Sequence, residues 1–156
     1  QSKTLNSFHK NLTMSIWLYP LDHEPADFFC QGDYNVLKTE GSSNGHTTLS
    51  FFAGGWGRGE AKYQVREEWA NRWHHIAGVC DSTSIRLYLD GEPVAKTDVT
   101  GTIEASPFPW LIGRNAEKPG ERMFFGCVDE ARIFLEALDA AEIKELMKNK
   151  YFQERD

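Results

Sequence analysis

From residue 13 to residue 134 the hydrophobic and polar positions follow a strand pattern. Residues 13–19 (TMSIWLY) carry apolar side chains on both faces, as a central sandwich strand does, and Pro20 ends the run. Residues 35–39 (NVLKT) form a short strand ahead of GSSNG, a loop by composition. Residues 47–53 (TTLSFFA) make a third strand, closed by Gly54-Gly55, and the alternating 61–66 (AKYQVR) pairs with it across GGWGRGE. Residues 73–80 (WHHIAGVC) and 85–90 (IRLYLD) form a hairpin around DSTS. Gly91 opens a second turn, DGEP, before residues 94–97 return. Residues 110–112 and 124–134 complete the set. Short strands separated by Gly and Pro turns predict an all-β sandwich or jelly roll.

One segment has a helical period. Asp139 is an N-cap with Glu142 three residues on, a capping-box spacing, and Leu138 and Ile143 take the hydrophobic-staple positions. Ile143, Leu146 and Met147 then make an i, i+3, i+4 stripe. A short C-terminal helix over 139–150 is expected to dock on the sandwich. With no repeat and no low-complexity stretch, 1–156 reads as one domain.

Composition narrows the function classes. At 156 residues the chain can bury a core without staples. Seventeen basic against twenty-three acidic side chains give a net charge of −6, which argues against a nucleic-acid backbone binder. The apolar runs fall well short of the ~20 residues of a membrane span. The start at Gln1 carries no signal-peptide pattern, so a mature or excised piece of a larger protein is expected. Three cysteines, Cys30, Cys80 and Cys127, are an odd number without CxxC spacing. Buried or half-buried free thiols are expected rather than a disulfide framework or zinc site.

The most informative text is RWHHIAGVCDSTSIRLYLDGEPVA, followed by PWLIGRN and FFGCVDEARIFLEALDAAEI. Trp73, His74, His75, Ala77, Asp81, Leu87, Tyr88, Asp90 and Gly91 carry its first part. Ile112 to Asn115, Phe125, Gly126, Asp129, Glu130, Arg132, Ile133, Ala137, Leu138, Glu142 and Ile143 carry the second. This pattern resembles the laminin-G-like, concanavalin A-like jelly roll, an accessory module of large secreted bacterial proteins. In wording it is most similar to modules of β-galactosidase-type glycoside hydrolases. Two departures stand out: Cys80 and Cys127 replace the usual Tyr or small residue, and the F-D-G-x-D motif is missing upstream of Leu5. The resemblance implies two antiparallel sheets and a secreted or periplasmic, noncatalytic module. Such a module binds carbohydrate or braces the catalytic domain of its parent enzyme; the alternative is a laminin-G-type protein-interaction or adhesion module. It also implies a structural calcium at Asp129, against which stands a cap or salt bridge, for instance to Arg132.

The residues themselves show no hydrolytic arrangement. Paired carboxylates on one strand face would need alternate spacing, whereas Glu67-Glu68 and Asp129-Glu130 are adjacent and diverge. His74 and His75 likewise diverge and read as packing or hydrogen-bonding positions. Sugar binding needs an exposed aromatic face beside polar groups. Trp56 and Arg58 fit, held among Gly54, Gly55, Gly57 and Gly59. The competing reading makes Trp56 a lid on the core. Trp69 lies in an unpatterned link and is a second candidate, while Trp17 and Trp73 read as core. Arg114 and Asn115 would add polar contacts if the fold brings their loop alongside.

Overall fold

A computed structural model describes residues 10–41, 46–66 and 68–148. The first strand shows how the sandwich is built. In β1 (Leu12–Pro20) the side chains of Leu12, Met14, Ile16 and Leu18 enter the main core. Thr13, Ser15 and Trp17 point to the other face and are buried as well, as expected for a central strand.

Next come β2 (Ala26–Gln31), β3 (Asn35–Glu40), β4 (Thr48–Ala53), β5 (Ala61–Gln64) and β6 (His74–Cys80). After these run β7 (Ser84–Leu89), β8 (Glu92–Asp98), β9 (Trp110–Ile112) and β10 (Gly126–Phe134). They form two five-stranded antiparallel sheets, ordered β10-β1-β6-β7-β8 and β5-β4-β3-β2-β9. This is the concanavalin A-like jelly-roll sandwich the sequence predicts.

The sequence reading has no strand at β2, and the structure corrects it. ADFFCQ places only Phe28, Phe29 and Cys30 between Asp27 and Gln31, too short a run for alternation to show. Yet β2 is buried at every position, between β3 and β9. The other predicted strands differ from the observed ones by a few residues at their ends.

The two sheets meet closely where Phe51 of β4 lies on the backbone of Gly78 in β6. A Cβ added at Gly78 would sit 2.4 Å from the Phe51 ring. Glycine is required there by packing, since no positive φ is involved. In the β6–β7 turn, Asp81 Oδ1 accepts from the Thr83 and Ser84 N–H groups, both at 2.8 Å, and Oδ2 meets Arg86 Nη2 at 3.0 Å.

The helix, α1 (Ala140–Leu146), has the predicted capping box: Glu142 N–H donates to the Asp139 carboxylate, and Asp139 N–H to the Glu142 carboxylate. Leu138 and Ile143 pack with Ala77, Val79 and Tyr88 on the outer face of the first sheet. The helix is shorter than predicted, ending at the C-cap Met147; residues 149 and 150 lie outside the described residues. So do Leu5, Glu67 and most of the GSSNG loop. Cys30 and Cys80 are buried free thiols as expected, but Cys127 is exposed near the start of β10. Burial, with the nearby charges of Asp27 and Asp33, pushes the Cys30 thiol up to about 12.

Candidate functional site

Strand β4 ends at Ala53, and the chain passes through Gly54 and Gly55 into a 3-10 turn at Trp56–Arg58. Gly54 and Gly55 have φ of 81° and 88°, a region that favours glycine. A Cβ at Gly55 or Gly57 would meet nothing within 4 Å, so the backbone on either side of Trp56 faces open space. Trp56 is 71% exposed. It is no lid on the core.

Arg58 does the opposite of what the sequence suggested. Its Nε donates to Thr100 O at 3.0 Å, and Nη1 to Ala53 O at 3.3 Å and Cys80 Sγ at 2.9 Å. Nη2 donates to Asp81 O at 3.1 Å and Gly101 O at 3.0 Å. The fork is spent inside the protein, so Arg58 is corrected from a ligand contact to a positioning residue. With Gly55 N–H donating to Tyr34 O at 2.8 Å, it fixes the turn that presents the indole.

Two clefts meet at Trp56. The wider, about 790 Å³, is walled by Asp33, Tyr34, Gly54–Arg58, Thr100–Thr102, Glu104 and Glu117. The smaller, about 230 Å³, lies among Asp27, Asp33, Lys38, Phe52, Lys118 and Arg122. Trp56 and Asp33 border both. The floor is a polar lattice. Asn115 Nδ2 donates to Asp27 Oδ2 at 3.0 Å and Asp33 Oδ1 at 2.8 Å. Arg122 Nε reaches Asp27 at 2.7 Å, and Lys118 Nζ reaches Asp33 at 2.7 Å. The hydrogen bond to Asp33 raises the Lys118 pKa.

Beyond Phe52 the same sheet face carries Lys38 and Lys62, each paired with Glu40 and Glu60. Burial alone would push the Glu40 carboxyl up; hydrogen bonds from Lys62 and Lys38 outweigh it and hold it below its usual range. Lys38 also lies 5.2 Å from the centre of the Phe52 ring.

Of the remaining candidates, Trp69 is corrected to core. It is 2% exposed, stacked on His74 at 4.9 Å and close to Phe28. The loop after β9 does come alongside, but through Glu117 and Lys118, which the sequence reading missed. Asn115 is buried scaffold, and Arg114 is exposed without lining either cleft. Asp33 and Phe52 were missed too. Phe52 was traceable as the polar-face aromatic in TTLSFFA, whereas nothing local marks Asp33.

Asp129 sits exposed on β10 and accepts from Glu130 N–H, while Arg132 pairs with Glu130. Among the described residues no group of three or more His, Cys, Asp or Glu side chains is placed to hold a metal ion. A calcium ion at Asp129 would therefore draw most of its oxygens from backbone carbonyls rather than from a cluster of side chains. His74 lies 3.0 Å from Asp90 Oδ2 and 3.1 Å from Trp69 O, a structural role. Its neighbour His75 faces the opposite side of the sheet, against Trp17.

The family profile of the laminin-G-type concanavalin A-like lectin/glucanases superfamily matches residues 1–144. The chain belongs to this superfamily. As a member of it, the chain shares its fold with a heptameric SAP-like pentraxin from Limulus polyphemus. The TM-score is 0.71 at 17% identity, over 88% of this chain and 70% of that one. It is also similar to domain 4 of AbnA, a GH43 extracellular arabinanase from Geobacillus stearothermophilus, solved with arabinotriose. There the TM-score is 0.58 at 21% identity, over 89% and 67% of the two chains. A curated relative is the zebrafish (Danio rerio) adhesion G-protein coupled receptor V1, 25% identical over 146 residues. That match takes in 87% of this chain but only 2% of the receptor.

Proposed function

We propose that this jelly roll is a noncatalytic carbohydrate-binding module whose ligand stacks on Trp56. The observation that carries the reading is Trp56 itself, 71% exposed and bordering two polar clefts. Pyranose and furanose rings offer apolar C–H faces to such a platform, while their hydroxyls find the carboxylates of Glu104 and Glu117 in the cleft it borders. The arabinanase domain, with its bound arabinotriose, supports this at the level of fold. In this reading the module is secreted or periplasmic and serves a glycoside hydrolase. The wording around WANRWHHIAGV favours a β-galactosidase-type parent.

A glycan array probed with this chain tests the proposal. Saccharide binding should weaken by about 1–3 kcal/mol in Trp56→Ala, the scale of aromatic stacking on a ring, with the melting temperature nearly unchanged. An array without hits overturns it. It would leave the adhesion reading, which rests on the receptor match and on exposed apolar residues around the start of β10: Met123, Phe125 and Val128.

A further inference from the structure

We infer that the groove around Trp56 takes uncharged saccharide chains and discriminates against anionic ones. This rests on the carbohydrate reading and adds the ligand class. Four cations line the two clefts: Lys38, Arg58, Lys118 and Arg122. Each is already committed. Arg122 holds Asp27 at 2.7 Å and donates to Thr39 O at 2.8 Å; Lys118 holds Asp33 at 2.7 Å. Lys38 is shared between Glu40 and Glu60 at 3.1 and 3.3 Å, and the Arg58 fork is used up on carbonyls and Cys80.

Nε and Nη2 of Arg122 are already engaged by Asp27 and Thr39 O, and an anionic sugar that competed for the Nε bond would draw the guanidinium away from Asp27, which is 1% exposed. That would strand a buried carboxylate, among the costliest changes a polar site can undergo. Meanwhile the wall of the wide cleft is acidic. Asp33 is paired with Lys118, but Glu104 and Glu117 make no ion pair among the described residues, and Arg58 is the sole cation in the lining. Glu104 and Glu117 are exposed. Ionised carboxylates only accept hydrogen bonds, so they suit hydroxyl donors and repel a carboxylate or sulfate brought to the indole face. Trp56 and Asp33 border both clefts, so a bound chain at the indole meets the lining of each.

The test compares polygalacturonate with its neutral, carboxyl-reduced form, and sulfated with unsulfated oligosaccharides, by affinity electrophoresis and calorimetry at low and high salt. Neutral chains should bind at least about tenfold more tightly at low salt. The ratio should shrink as salt screens the carboxylates and in Glu104→Gln. An anionic chain that binds as tightly, and loses affinity in Trp56→Ala, overturns the charge selectivity and leaves the carbohydrate function standing. Binding of neither series, across the array as well, overturns the function and this inference with it.

Discussion

Replacing Arg58 separates the two roles that sit two residues apart in the glycine-rich turn. Arg58→Ala removes five hydrogen bonds donated to Thr100, Ala53, Cys80, Asp81 and Gly101. The bonds to Thr100 O and Gly101 O are exposed, so water can replace them. Those to Ala53 O, Asp81 O and Cys80 Sγ are partly buried. Bonds from a charged donor are worth roughly 1.5–3 kcal/mol each, and contributions within one network do not add. A total loss of about 2–4 kcal/mol follows, which for a domain of this size lowers the melting temperature by about 5–15 °C. Arg58→Lys keeps the charge but not the fork and should recover less than half. Circular dichroism gives the melting temperature, and calorimetry on the folded fraction gives saccharide affinity. Arg58→Ala that melted like the parent while losing affinity would refute the positioning role and return the guanidinium to the ligand.

Three other outcomes are expected. Burial drives the His75 pKa down from 6.5 to about 4, with Asp90 opposing and Arg132 assisting. The unfolded chain therefore binds a proton that the folded chain refuses, and stability should fall as pH drops from 6.5 toward 4, by roughly 3 kcal/mol in all. Urea titrations at several pH values should show that slope in the parent and its loss in His75→Gln. Gly78→Ala drives a methyl into the Phe51 ring and should cost about 1–3 kcal/mol. Restored stability in Gly78→Ala/Phe51→Leu confirms the clash, whereas an unchanged melt of the single variant disproves it. Chelation should leave the melting temperature of the parent and of Asp129→Ala alike; a calcium-dependent rise in the parent that Asp129→Ala abolishes would establish the metal site.

What could be read in the sequence is what is local. The β6–β7 hairpin is written in one stretch because Asp81 caps its own turn through Thr83 and Ser84. The helix announces itself because Asp139 and Glu142 satisfy each other's backbone N–H groups three residues apart. Strand β2 was illegible because its few apolar residues show no period. Its burial comes from partners at both sides, β3 and β9, the second some eighty residues further on.

The site divides along the same line. Four glycines in GGWGRGE mark a turn that presents something, but not which side chain. That choice falls to carbonyls at Asp81, Thr100 and Gly101, more than twenty residues away, which claim Arg58 and leave Trp56 outside. Trp69 has no glycines around it, and its ring packs into the main core against Phe28 and His74. Asp27 and Asp33 belong to the site only because Asn115, Lys118 and Arg122 arrive from the far end of the chain to neutralise and bridge them. An acid that looks free in the sequence is thus bound in the fold, and a base that looks available is spent. The charge a ligand meets at Trp56 is what remains after these long-range pairings, and Glu104 and Glu117 give that remainder its sign.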